Sequence, residues 1–306
     1  VAAEGMKLHK ELAEMLPQQT SINTEYRLRP SLSLAFEKHE ADAAKSSLPL
    51  KQSHHGYSAT WCEPETLKKI EPRISDSALG GVYVEGTADV NPYRLVLAMA
   101  QAAEQGGTKI RHGNVTGMHR EGDGYRVSLN GDGLTCSKVV LAMGPWSGQA
   151  SPWLGIPIEI RPLKGQILRL RIPGPPLQFS LGWRGNYATT KPDGLLWAGT
   201  TEEEAGFDEI PTSGARNQIM AALPKMAPSL AEARLVRQTA CLRPISADKA
   251  LMLGEMPGWN GTFMATGAGR SGIVLGPALG RITADLITTG KTDIPITSFD
   301  PKRFMV

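Results

Sequence analysis

Two different strand patterns follow one another in this 306-residue chain, and few folds accommodate both. Residues 138–142, Lys-Val-Val-Leu-Ala, form an almost unbroken apolar run, as expected of a strand covered on both faces in a largely parallel sheet. Residues 165–172 alternate instead, with Leu168, Leu170 and Ile172 separated by Arg169 and Arg171, which suits an antiparallel strand with one face in the core. Residues 187–190 and 195–198 then flank Lys191-Pro192-Asp193-Gly194, a turn sequence that joins two strands into a hairpin. The succession predicts an α/β (α+β) fold of two lobes, in which an antiparallel sheet interrupts a lobe of alternating strands and helices.

The remaining punctuation supports that order. Leu8, Leu12, Met15 and Leu16 recur at helical spacing over residues 6–16, with Pro17 as the expected stop. A short strand at residues 80–86 is bounded by glycines, Asn91-Pro92 opens a helix, and Gly106-Gly107 ends it. Residues 108–111 and 125–129 read as strands, 213–223 as a helix, and 277–288 as a closing apolar helix. The boundaries expected are 1–79, helical and strand segments largely of the antiparallel lobe; 80–150, first lobe; 151–240, antiparallel-sheet lobe; and 241–306, the return to the first lobe.

Composition narrows the partners. Basic and acidic residues number 33 and 30, scattered without a polybasic run, so nucleic acid is not expected. Cys62, Cys136 and Cys241 stand far apart with no CxxC spacing, which argues against a metal site or disulfide framework and for a reducing, cytoplasmic setting. No apolar stretch reaches transmembrane length. A homo-oligomer is compatible with all of this.

The most informative stretch is Cys241-Leu242-Arg243-Pro244-Ile245-Ser246-Ala247-Asp248, followed by Leu253-Gly254 and by Gly267-Ala268-Gly269-Arg270-Ser271-Gly272-Ile273. It resembles the C-terminal signature of the FAD-dependent D-amino-acid oxidase family, in particular its glycine oxidase branch. Three segments match the same family in order: Val139-Val140-Leu141-Ala142-Met143-Gly144-Pro145-Trp146-Ser147, Arg161-Pro162-Leu163-Lys164-Gly165-Gln166, and the hairpin from Asn186-Tyr187 to Gly199-Thr200-Thr201-Glu202. The resemblance implies a two-lobe FAD-dependent oxidoreductase fold, with a Rossmann-like FAD lobe and an antiparallel-sheet substrate lobe. That FAD lobe is expected to be incomplete, because the G-x-G-x-x-G strand–helix unit with which such proteins begin is missing ahead of the matching segments.

On the same resemblance, Arg243 clamps a substrate carboxylate, Arg270 lies near substrate or flavin, and Tyr187 walls the pocket and donates a hydrogen bond to the carboxylate. The plain alternatives are a strand-end arginine, a helix-start arginine in water and a packing tyrosine. Cofactor contacts are implied for Val115, Ala142, Met143, Gly144, Trp146, Ala268, Gly269, Arg270, Ser271, Gly272, Ile273 and Val274; Val115 could equally be a simple core strand end. The implied reaction is oxidation of a small amino acid or secondary amine, of the glycine, sarcosine or D-amino-acid type, by hydride transfer from Cα to flavin N5. O2 or another electron acceptor would complete the cycle. Two other readings stay open: a dye-linked amino-acid dehydrogenase, and a truncated or cofactor-free remnant or subunit of such a flavoprotein. Ala268 and Gly269 stand where glycine oxidases often carry His and an aromatic residue, which leaves the substrate open.

Overall fold

The computed structural model describes residues 1–53 and 56–304. Its largest element is an eight-stranded sheet, built in the order Arg234–Ser246, Ile160–Arg171, Leu196–Gly199, Asn186–Thr190, Ser180–Trp183, Ser31–Ala35, Gly80–Glu85 and Ser58–Cys62. All neighbours are antiparallel except Ser180–Trp183 and Ser31–Ala35, which run parallel. The alternation in the long strand does what its period dictates. Leu168 and Leu170 face a core shared with Leu32, Leu181, Ala188, Leu196 and Ala198, sealed by Ile219, Leu223 and Met226 of the helix Ser213–Met226. The opposite face looks toward the rest of the molecule.

A smaller sheet carries the parallel pattern. Met252–Glu255, Thr262–Thr266 and Val139–Leu141 lie in that order, the last two parallel. The helix Gly272–Thr289 covers one side through Leu279 and Ile282 packed on Leu251 and Leu253. Met264 and Leu141 join Met118, Tyr125 and Leu154 in a separate cluster beside the three-stranded antiparallel sheet Val115–Glu121, Gly124–Leu129 and Asp132–Cys136. The first helix, Ala2–Thr20, packs on the last, Gly272–Thr289. A Cβ on Gly5 would lie 2.1 Å from the Val274 carbonyl oxygen, and His9 Nε2 sits 2.7 Å from the Ile273 carbonyl oxygen. The first helix therefore approaches the start of the last one backbone to backbone.

Several local expectations are corrected. The first helix continues through Pro17 to Thr20, because a proline in the last turn removes only one hydrogen bond and Leu16 stays buried against Leu95 and Ala98. Residues 108–111 form no strand; they are exposed and have no strand to pair with among the described residues. Val140 is 41% exposed rather than enclosed, since Val139–Leu141 is an edge strand of its sheet among the described residues. The strands Gly80–Glu85 and Arg234–Ser246, grouped by sequence wholly or partly with the first lobe, are members of the eight-stranded sheet.

Candidate functional site

The site is built on the face of the large sheet away from its core. Directly opposed residues in antiparallel strands share a face, and so do residues two apart along a strand. Tyr187 pairs with Gly199, Gly199 with Ile167, Gly165 with Cys241, and Leu163 with Arg243. Tyr187, Cys241 and Arg243 therefore rise from one face, and two of their neighbours in that lane, Gly165 and Gly199, have no side chain. The lane needs to be thin. A Cβ on Gly165 would lie 2.0 Å from Arg243 Nη2 and 2.1 Å from its Cζ, so the guanidinium lies flat across the glycine. A Cβ on Gly199 would be 3.4 Å from a ring carbon of Tyr187.

Arg243 is fixed from the flank. Its Nη1 donates to the Thr201 carbonyl at 3.1 Å and its Nη2 to Thr200 Oγ1 at 2.6 Å. Both acceptors are neutral, and among the described residues no carboxylate lies within ion-pair distance of it. A half-buried guanidinium with its charge unmatched is poised for an anionic ligand. The Thr200–Glu202 segment owes its placement to a bulge. Between the pairs Ile167–Gly199 and Lys164–Glu203 the shorter strand's extension spends one residue more than the long strand, and bulges of this kind re-aim side chains beside functional sites. A buried polar network clamps the segment from behind. Gln166, fully buried, donates from Nε2 to Glu203 Oε1 at 2.9 Å and from its backbone N–H to Thr201 Oγ1 at 3.0 Å. Lys164, also fully buried, donates from Nζ to Asp208 at 2.8 Å and to the Ile210 carbonyl at 2.7 Å.

Burial pushes the Tyr187 phenol above its ordinary range, against an opposing pull from the Arg243 and Arg270 charges. The hydroxyl thus stays protonated at neutral pH and can donate a hydrogen bond. Arg270 stands in the short turn Gly269–Ser271 that leads into the last helix. Its Nη2 donates to the Gly185 carbonyl at the hairpin tip at 2.8 Å, and its Nη1 lies 3.4 Å from Glu202 Oε1. Unlike Arg243, it has a carboxylate partner.

The cofactor candidates fall into three groups. Ala142, Met143 and Gly144 follow the strand Val139–Leu141, and residues 268–274 follow Thr262–Thr266; the strands are parallel, so both segments leave the same, carboxyl end of the small sheet, where open α/β sheets bind ligands. The two ends are tied together, Ser147 Oγ donating to Gly144 O at 2.7 Å and lying within hydrogen-bond distance of the Thr266 hydroxyl at 3.1 Å. Arg270, Ile273 and Val274 line a cavity of about 370 Å³ with Met6, Tyr26 and Tyr57. Outside these groups, Trp146 stacks on Phe207 with ring centroids 6.0 Å apart, and Val115 opens a strand of the other three-stranded sheet, exposed. Sequence reasoning missed Met6, Tyr26, Tyr57 and the holding role of Thr200 and Thr201. Only the periodicity could have placed Cys241 on the face of Arg243.

The residues fit a flavin. The last helix starts at Gly272 with no side-chain cap from Ser271 and no acidic residue in its first turn, so its positive end is free to face a ring that gains negative charge on reduction. Gly144 and Gly269 have φ of 54° and 50°, and a Cβ on either would meet nothing within 4 Å, leaving the backbone open to close approach by a ligand.

Sheet, site and open helix start together define an FAD-type oxidoreductase fold. Residues 1–286 match the family model described as FAD dependent oxidoreductase, and the chain belongs to that family. It is 27% identical to glycine oxidase from Geobacillus kaustophilus over 306 residues, which cover 99% of this chain and 81% of that protein. Glycine oxidase from Pseudomonas aeruginosa is 33% identical over 210 residues, 68% of this chain and 58% of the relative. The crystal structure of glycine oxidase from Geobacillus kaustophilus superposes with a TM-score of 0.92 at 25% identity, covering 97% of this chain and 80% of that one. Among the described residues no helix is long and apolar enough to cross a membrane.

Proposed function

We propose that this chain oxidises a small amino acid or secondary amine at a site in which Arg243 anchors the substrate carboxylate. The observation that carries the reading is the Arg243 guanidinium itself: half-buried, held by two neutral oxygens, and without a carboxylate partner among the described residues. Its planar fork suits a carboxylate bidentately and does not lose its proton. Tyr187, kept protonated by burial, donates to the same carboxylate and walls the pocket with its ring. FAD, when bound, would supply the redox chemistry as the acceptor of the Cα hydrogen and its electron pair from the neutral amine. The protein's part is orientation, which removes most of the entropy otherwise lost in bringing the reacting atoms together. The substrate leaves as an imine, which water hydrolyses to the oxo acid and the amine or ammonia. O2 or another electron acceptor takes the electrons onward.

The test uses the purified chain with FAD supplied. Under anaerobic conditions, glycine, sarcosine or a D-amino acid should bleach the flavin absorption, and admission of air distinguishes an oxidase, which makes peroxide, from a dehydrogenase, which does not. Arg243→Ala should leave flavin uptake intact and cost about 2–5 kcal/mol in substrate affinity, as expected when one partner of a desolvated charge pair is truncated. Loss of flavin with substrate affinity unchanged would refute the anchor role.

A further inference from the structure

Arg243 and Arg270 are held by consecutive residues of one bulged segment. Thr200 and Thr201 take Arg243, and Glu202 takes Arg270. Their electrostatic states differ as a result. Arg243 meets neutral oxygens only, while Arg270 shares its charge with a carboxylate at 3.4 Å. Arg270 binds the carbonyl of Gly185, two residues before Tyr187, and Tyr187 shares a sheet face with Arg243, so the two cations belong to one neighbourhood. Asp89, the one carboxylate felt by Tyr187, is already engaged by Arg27 at 3.1 Å, Arg29 at 3.5 Å and Lys191 at 2.9 Å. Of the two site arginines, Glu202 matches Arg270, so the charge of Arg243 is left for a ligand to match. One substrate carboxylate balances it, whereas a second would have to displace Glu202 from Arg270 or lie beside it unpaired, and like charges held close together are strongly disfavoured.

We propose that Glu202 is a specificity-determining residue that occupies Arg270 and so restricts the site to amines bearing one carboxylate, against those bearing a second on the side chain or the N-substituent. The proposal rests on the assignment of Arg243 as carboxylate anchor. Glu202 suits the role by position: the bulge turns it away from the buried network that consumes Glu203, and its side chain is 47% exposed, free to be displaced only at the cost of its ion pair.

Methoxyacetate and diglycolate test it, being ether analogues that cannot be oxidised at nitrogen and that differ by one carboxylate. Their binding is measured by titration calorimetry on the chain with FAD supplied. The wild type should prefer methoxyacetate. Glu202→Gln should move the affinity ratio toward diglycolate by about 3- to 5-fold, the size set by loss of one half-exposed ion pair, and adding Arg270→Gln should abolish that gain. An unchanged ratio in Glu202→Gln while methoxyacetate still binds overturns the proposal alone, as does a gain that survives Arg270→Gln. If methoxyacetate fails to bind the wild type, or binds Arg243→Ala equally well, the anchor assignment falls and the proposal with it.

Discussion

At the scale of single residues, the position of Arg243 depends on an atom that is absent. The side chain lies where a Gly165 Cβ would be, within 2.0–2.1 Å of three guanidinium atoms. Gly165 has an ordinary backbone conformation rather than a positive φ, so alanine meets no backbone strain there, and the atoms it would strike are the far end of a flexible side chain. Gly165→Ala should therefore fold with a melting temperature near wild type, while Arg243 is forced off its bonds to Thr200 and Thr201. Carboxylate affinity should drop at least about tenfold, in keeping with the 1.5–3 kcal/mol typical of hydrogen bonds to charged groups. Calorimetric titration with methoxyacetate beside a thermal melt separates the two effects, and equal losses in both would contradict this account. The residue types of the clamp were legible in sequence because the motifs carry them. The glycine lane was not, since a motif names a residue without saying what lies across it.

At the scale of elements, the antiparallel hairpin and the parallel strand were readable from periodicity alone, because side-chain alternation is a direct image of which face is buried. The union of the first and last helices was not. It depends on Gly5, one small residue in a helix whose sequence otherwise carries only an amphipathic stripe, set against the Val274 carbonyl far along the chain. The obstacle there is backbone, which cannot swing aside. Gly5→Ala should force the helices apart and destabilise the protein by about 1–3 kcal/mol, the usual range for overpacking, measurable in urea unfolding. FAD affinity should fall with it, because Met6 and Val274 line the same cavity from the two helices. A variant as stable as wild type would show that the contact can relax. Residues 108–111 went the other way, readable as a strand from their local pattern yet unpaired, since strand formation needs a neighbour that composition does not reveal.

At the scale of the whole molecule, stability responds to pH through carboxylates locked in the fold. Glu71, 7% exposed, accepts from Arg73 Nε at 2.7 Å and Nη2 at 2.7 Å, and these hydrogen bonds hold its carboxyl below the usual carboxylate range. A folded-state value below the unfolded one means the contribution is present above about pH 4.3, the unfolded glutamate value, and is lost as pH falls through the lower folded value. Glu71→Gln should accordingly cost about 1–3 kcal/mol at neutral pH, with the difference from wild type shrinking as the pH is lowered below about 4. A difference that stays constant down to pH 3 would exclude this pair as the source.

The parallel pairing inside the large sheet also bears on how the chain reaches its native state. Ser31 lies opposite Ser180, and Leu32 opposite Leu181, so an early strand waits for a partner far along the chain, and one of the two edge strands, Arg234–Ser246, arrives later still. Pairings this distant in sequence are slow to form, since the loop entropy must be surrendered before any contact offsets it. During synthesis Leu32 and Leu34 can meet Leu67 and Ile74 early, but the cover supplied by Leu181, Ile219 and Leu223 arrives much later, so apolar surface stays exposed to chaperones while those elements are translated.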